Sequence, residues 1–594
     1  MKMRSTMIWK PQSLSSTVLF VLIAILRLHA ANYCVDAVAG SDTNLGSCSP
    51  YSPWKTIAGA VNPGPSIKYQ PGDVISFQGG QTFSGEIDLS STNVGGTDAQ
   101  RAANPITVNS TGTGRATISS SNGNGILMSG IAGVHVTNIN FVGASLGGKS
   151  GYQGGVYFSN STGSTLSYAH VDNVTISGFR YDGITVIGNN SSSGYADVHI
   201  DSVTIHDCGH DGIDIVNGSL SPPAYAMSNV YVGHSLVYNI PGIASLRTGS
   251  GQPVNFFSVS GGTVEYTTTH DSGQLNSPRN FGPVGISATN ATNLTFQFNE
   301  VYLQHTGPTS NADGDGFDLD AGVTNSVMQY NYSHNNDGAG FLLCGGGAAP
   351  NSNNTIRYNI SENDGRNAFG GANTYGGVTV VGNCAGTQGL GPEQIYNNTV
   401  YMSGTGISSP AVRIVPQSGA VNNVQLYDNI LIANNGLPQV ELTSTSLVSG
   451  LSLIANLYYD SGSGYKVKWN GTTYSDSGDG SAIQQWAAAT GEEQLPAGTY
   501  KYIASNSLVC HPGLGGTMYP NPLTNLGAYK LVVGTSASNS SPAIDSALNL
   551  QTNFGINPGS RDFYGDTIPT VIFNSTGGGF DRGADEAQAG QVCP

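Results

Sequence analysis

Between residues 105 and 459 the chain keeps returning to one pattern of apolar and polar positions. Short runs alternate at every second residue and stop at Asn or Asp-Gly. Val171-Asp172-Asn173-Val174-Thr175-Ile176-Ser177 leads into Tyr181-Asp182-Gly183-Ile184-Thr185-Val186, and Val198-His199-Ile200-Asp201-Ser202-Val203-Thr204-Ile205 leads into His210-Asp211-Gly212-Ile213-Asp214-Ile215. The pattern returns at Met328–Phe341, Ile356–Gly365, Ile395–Tyr401 and Val424–Ile430. Period-two alternation is the mark of a strand with one face buried. A repeat of roughly 22 to 30 residues built from two or three such strands is the mark of a β-solenoid. Helical periodicity is missing throughout, which excludes an α-solenoid and a doubly wound sheet. The expectation is an all-β, right-handed parallel β-helix: Ile, Val, Leu and Phe stack inside, and Asn or Asp at equivalent turns stack as ladders.

The flanks read differently. Lys2, Arg4 and Lys10 precede an apolar run, Val18 to Leu26, with small residues at Ala30 and Ala31; this predicts a secretion signal over 1–31. The run is shorter than the ~20 residues a membrane helix needs, and the protein is expected to be secreted, extracellular or periplasmic, with no membrane span. Residues 32–104 predict an N-terminal cap and first strands, with a short amphipathic helix before Pro71-Gly72-Asp73 and a strand at Val74–Phe77. From 460 to 594 the repeat is lost, a short helix is expected at Ile483–Ala489, and the region reads as a cap over the last edge. A polar stretch at 264–281, with His270, Asp271 and Arg279, reads as an insertion that walls a cleft.

Composition agrees with a turn-rich β protein: 82 of 594 residues are Gly and only 10% are charged. A formal net charge of −16 leaves no basic face for nucleic acid. Seven cysteines suit an oxidising compartment. Cys34 with Cys48, Cys344 with Cys384 and Cys510 with Cys593 are the expected pairs, leaving Cys208 as a buried small hydrophobe.

The densest chemistry is Asn311-Ala312-Asp313-Gly314-Asp315-Gly316-Phe317-Asp318-Leu319-Asp320. Alternation turns Phe317 and Leu319 into the core and Gly316, Asp318 and Asp320 toward water. Asp318 and Asp320 would then lie ~7 Å apart, within the range that lets one carboxyl protonate a leaving oxygen while the other activates water. Aligning the coils puts Thr185, Asp214, Asp318 and Leu342 at one outward position, with Asp214 ~14 Å from Asp318. Asp214, His210 and Arg366 are expected to line the substrate groove, with Tyr181, Tyr375 and Phe341 as its aromatic walls. His206, His270, His305 and His334 recur before turns, and His305 and His334 are the candidate substrate contacts among them. Asp182, Asp211, Asp337 and Asp364 read as turn residues. Calcium is the competing reading: Asn311, Asp313, Asp315 and Gly316 match positions 1, 3, 5 and 6 of a calcium loop, but Val323 stands where a bidentate Glu belongs. No His or Cys pair at zinc spacing occurs. Sequons such as Asn173-Val-Thr and Asn331-Tyr-Ser are expected to be ladder positions.

Two resemblances follow from these residues. The opening Tyr33–Val61 resembles the N-terminal cap of secreted right-handed parallel β-helix proteins, many of them polysaccharide lyases and hydrolases. The stretch 312–320, with Asn331-Tyr332-Ser333-His334-Asn335-Asn336-Asp337-Gly338, resembles the core of family 9 pectate lyases. That second resemblance implies an aspartate-bound calcium and a lysine base acting on a uronate. Asp320 stands where the lysine is expected, and no Lys occurs between Lys149 and Lys466. Elimination beside a carboxylate needs a strong base, so the departure favours hydrolysis of a neutral or weakly charged glycan. The expected protein is a monomeric glycoside hydrolase that acts on a polysaccharide and requires no cofactor. A calcium-dependent polysaccharide lyase and a non-catalytic glycan-binding β-helix are the alternatives.

Overall fold

The computed structural model describes residues 30–594 except 63–66, 147–152, 218–224, 247, 278–281, 309–312, 348, 367–374, 387, 404–406, 519–525 and 574–577. Residues 1–29 of the expected signal segment, Asn311 and Arg279 lie outside the described residues. The chain winds as a parallel β-helix whose walls are three sheets of fourteen strands each. Sheet I begins at Asn32–Val35, sheet II at Ile87–Ser90 and sheet III at Thr82–Ser84. Successive coils stack in register, with one shift between Cys344 and Gly346 in sheet II. Val134 and Val136 lie over Ala169 and Val171, then Val198 and Ile200, then Val230 and Val232. The right-handed winding follows the general preference of parallel strands joined by crossovers.

A one-residue turn joins sheet I to sheet III in almost every coil, and it needs a left-handed residue. Asn138, Asn173, Ser202, His234, Tyr266, Phe298, Tyr330, Tyr358, Asn397 and Asp428 all take φ between 47° and 57° there. Asn and Asp suit that backbone; aromatic residues do so at a cost. Stacking offsets the cost: Tyr266, Phe298 and Tyr330 lie ring on ring at 5.0 and 5.1 Å, and the Arg561 guanidinium covers the last two. The residue after this turn points inward. From Asn299 it is asparagine in every coil, and Asn299, Asn331, Asn359, Asn398, Asn429 and Asn456 form a buried ladder with Nδ2-to-Oδ1 bonds of 3.0 to 3.1 Å. Glu493 accepts the last Nδ2–H at 2.7 Å and ends the ladder. Asn331, one of the sequon asparagines, is thus wholly internal.

The stretch 264–281 is not an insertion over its described part. Thr268–Ser272 is a regular strand of sheet III, paired with Leu236–Tyr238 and Glu300–Gln304. Its inward positions are Thr267 and Thr269, both fully buried, and these polar residues hid the alternation from a reading based on hydrophobicity.

Beyond Tyr459 the chain does two jobs. A hairpin (Lys466–Trp469 with Thr472–Ser475) and the helix Ser481–Thr490 close the open end, the helix burying Ile483 and Trp486 on the last coil. The remainder then runs back along the outside of sheet III instead of stopping at the edge. Its Tyr529 hydroxyl donates to Glu362 at 2.7 Å, and the Met518 N–H reaches Glu300 at 3.0 Å. Val509, Leu526, Tyr529 and Phe563 form a second apolar cluster with Tyr332, Ile360 and Ile430 of sheet III. All three expected disulfides are formed, with Cα separations of 5.1, 5.8 and 5.4 Å in chain order, and Cys208 is free and buried. No helix among the described residues is long and apolar enough to cross a membrane.

Candidate functional site

The strand Asp315–Asp320 lies in sheet II between Val284–Thr289 and Phe341–Gly347. Phe317 and Leu319 are fully buried, and Phe317 stacks on Phe341 at 5.1 Å. The outward file runs Thr185, Asp214, Asn255, Ser287, Asp318, Leu342, Thr379, Arg413. Asp214 therefore sits three coils from Asp318, as the alignment of turns predicted. Asn255 and Ser287 fill the gap: Asn255 donates to Asp214 at 2.9 Å and Ser287 donates to Asn255 at 3.3 Å. Sequence reasoning missed both, although their spacing from the core residues Val254 and Ile286 marks the same position.

Asp318 was expected to point to water and does not. It is 4% exposed, and one of its carboxyl oxygens is buried without a hydrogen-bond partner. Asp315 is fully buried, with one oxygen accepting the Ala339 N–H and the other unpartnered. Burial, together with the neighbouring aspartates, pushes both carboxyls well above the usual range. Asp313 and Asp320 are partly exposed. Burial raises Asp313 to about 6 against the pull of the Gly282 N–H and the Tyr375 hydroxyl. Burial, with Asp313 as the main like charge, raises Asp320 to about 7 while the Ala321 N–H donates to it at 2.7 Å. The Cys344–Cys384 disulfide, with sulfurs within 4.8 Å of the Asp320 carboxylate, supplies a weakly polar neighbour. Tyr375 belongs to the cluster: its hydroxyl accepts the Asp313 N–H at 3.0 Å.

The other expected contacts divide between two places. His210 is buried, stacks on Tyr181 at 4.0 Å and pairs with Asp182 at 2.8 Å and Asp211 at 3.3 Å. Burial works against its imidazolium, but the two carboxylates outweigh it and raise it to about 10. Asp214, close to this group, is pushed well above its usual range by burial and by Asp211. His305 lies at the corner near Asp313, 3.3 Å from Asp337. Its neighbour Thr306 donates to the Asp313 carbonyl at 3.0 Å. His334 does not share this face. It belongs to sheet III, is 6% exposed between Tyr302 and Tyr332, and pairs with Glu300 at 3.2 Å. Arg366 is exposed and donates to Asn335 at 3.0 Å. Phe341 is a core residue, so it walls nothing. Asp315 opens the strand and spends one oxygen on the Ala339 N–H of the next coil. Among the described residues no third carboxylate, imidazole or thiolate joins Asp313 and Asp315 within 4.8 Å.

The raised carboxyls set the direction of the stability–pH curve. Unfolded aspartates titrate near ~3.9, and Asp313 and Asp320 titrate at about 6 and about 7. The folded state therefore holds protons that the unfolded chain has lost between those values. The stability they contribute is complete below ~3.9 and is lost as pH rises through about 7. The thermal midpoint is expected to be higher at pH 5 than at pH 8, and Asp320→Asn is expected to flatten the difference. A wild-type midpoint that rises over this interval would refute the assignment.

No family model matches the chain. Over 220 residues, 35% of this chain, the sequence is 27% identical to a lacto-N-biosidase of Bifidobacterium longum subsp. longum. The match takes in 13% of that relative's length. Among solved structures, the GH136 lacto-N-biosidase from Eubacterium ramulus has a TM-score of 0.45 and 16% identity, over 76% of this chain and 70% of that one. The pectate lyase Pel9A has a TM-score of 0.35 and 14% identity, over 67% and 80%. The chain thus resembles parallel β-helix proteins whose names are those of carbohydrate-active enzymes, and the likeness to the solved structures is one of fold.

Proposed function

We propose that this chain is a secreted glycoside hydrolase whose catalytic carboxylates are those of the 313–320 cluster. One observation carries the reading. Of four clustered aspartates, the two that keep solvent exposure, Asp313 and Asp320, are also the two whose ionisation falls near neutrality. Two carboxyls that interact and titrate as a pair between about 6 and about 7 provide one proton donor and one acceptor together. Asp320, the more weakly acidic, protonates the leaving glycosidic oxygen, and Asp313 accepts the proton of the attacking water. Asp318 lies buried in the same cluster, its carboxyl held well above the usual range by burial and by Asp320. This refines the pairing of Asp318 with Asp320 that strand alternation suggests. The partial match to a lacto-N-biosidase makes oligosaccharides carrying lacto-N-biose the first substrates to try.

The test is a product screen of the mature protein on an aryl lacto-N-bioside and on neutral and acidic polysaccharides, with calcium and with chelator. Free sugar or new reducing ends without ultraviolet absorbance, absent in Asp313→Asn and Asp320→Asn, is the expected result. Calcium-dependent unsaturated products would transfer the site to a lyase. No turnover on any substrate would leave a non-catalytic protein.

A further inference from the structure

A separate group of acids lies in the C-terminal segment. Asp562, Asp566 and Asp585 each place a carboxylate oxygen within 4.8 Å of the other two. The fold pins their loops together: the Phe563 N–H donates to the Ala584 carbonyl at 3.0 Å, and the Glu586 N–H to Asp562 at 2.8 Å. The Asp566 N–H adds a further bond to Asp562 at 2.7 Å. Asp562 is fully buried and Asp585 is 1% exposed, while Asp566 reaches the surface. One oxygen of Asp585 accepts from the Leu531 N–H at 2.7 Å and from Gln591 at 2.8 Å. Its other oxygen is buried with no hydrogen-bond partner. A buried carboxylate oxygen left in this state costs the full desolvation of the group. Lys530 approaches Asp566 at 3.6 Å, but its ammonium also sits 4.6 Å from the centre of the Tyr564 ring. One lysine does not balance three carboxylates.

We propose that Asp562, Asp566 and Asp585 bind a calcium ion that fastens two loops of the C-terminal segment to each other. The donors are hard oxygens, with no imidazole or thiolate among the three, which suits calcium over a transition metal. The unpartnered Asp585 oxygen is the donor that an ion would satisfy. A cleft of about 590 Å³ lined by Lys530, Tyr564 and Asp566 gives a way in from solvent. The ion bridges loops already held by hydrogen bonds and apolar packing, so binding favours the closed segment by mass action.

Chelator-treated full-length protein would be titrated with calcium chloride while the thermal midpoint is followed, and with terbium while tyrosine-sensitised luminescence is read. Calcium is expected to raise the midpoint by about 2 °C or more and to displace the terbium signal. Asp585→Asn should abolish both responses. Asp566→Asn, at a position near the surface that tolerates the change, should weaken calcium binding by about 10-fold or more (roughly 1.4 kcal/mol). Asp313→Asn should leave both responses intact. The proposal fails if the wild type shows neither response, if Asp566→Asn and Asp585→Asn bind as the wild type does, or if the responses vanish in Asp313→Asn instead.

Discussion

Asp320→Asn is expected to lower turnover by about a thousandfold, within the range that positioned acid–base groups contribute. The substitution keeps size and shape, and an Asn side-chain oxygen can still accept the Ala321 N–H that Asp320 accepts at 2.7 Å. What it removes is the proton that moves. Asp313→Asn should cost a comparable factor. Asp318→Asn should stay within about tenfold of wild type, because that carboxyl is buried and takes no part in the proton transfers assigned to Asp313 and Asp320. The wild-type kcat/KM profile should be bell-shaped with its limbs between about pH 6 and 7, and Asp320→Asn should remove one limb from the residual activity. Equal losses in the Asp318 and Asp320 variants would restore the pairing that alternation suggests. Full activity in Asp320→Asn would remove the cluster from the chemistry.

The largest loss of stability should come from the asparagine ladder. Asn398→Ala removes an Nδ2 group that donates to Asn429 and to the Ile356 and Tyr396 carbonyls at 3.0 to 3.1 Å. It also removes an oxygen that accepts both the N–H and the Nδ2 of Asn359 at 3.0 Å. These groups are internal, so their partners are left unsatisfied at about 1–3 kcal/mol each before relaxation. A loss of roughly 4 kcal/mol is expected, among the larger effects a single substitution produces. Urea denaturation checks it, with exposed Asn122→Ala as the control that should change stability by less than about 0.5 kcal/mol. A loss at Asn398 below about 1 kcal/mol would show that the ladder bonds contribute little beyond what water offers.

The fold was legible because its determinants are local and repeated. Alternation in a single coil says which residues face in, and recurrence of Asn or Asp-Gly says where each coil turns. Those two facts placed Asp214 and Asp318 in one file without any tertiary information, and the cysteine spacings did the same for the disulfides. The site was less legible because burial is a property of neighbours distant in sequence. Whether Asp318 meets water depends on what the coils around it carry, and its own alternation is silent on that. His334 and His305 look equivalent in the sequence, each at the end of a strand before a turn. One turned out to be covered by the returning C-terminal segment and the other to lie beside Asp313. That segment itself has no repeat to announce it, so its path along sheet III was hidden.

The returning segment also bears on the order in which the molecule can be made. Glu300 waits for Met518, 218 residues later, and Glu362 waits for Gly515, 153 residues later. At about 5–20 residues per second of synthesis, the middle coils emerge on the order of tens of seconds before the chain that covers them. During that interval their outer wall presents Tyr332, Tyr358, Ile360 and bare carboxylates to the surroundings. A nascent chain halted near residue 500 would hold a finished solenoid interior under an unfinished, sticky exterior. The residues beyond 500 thus seal the solenoid's flank long after its core has wound.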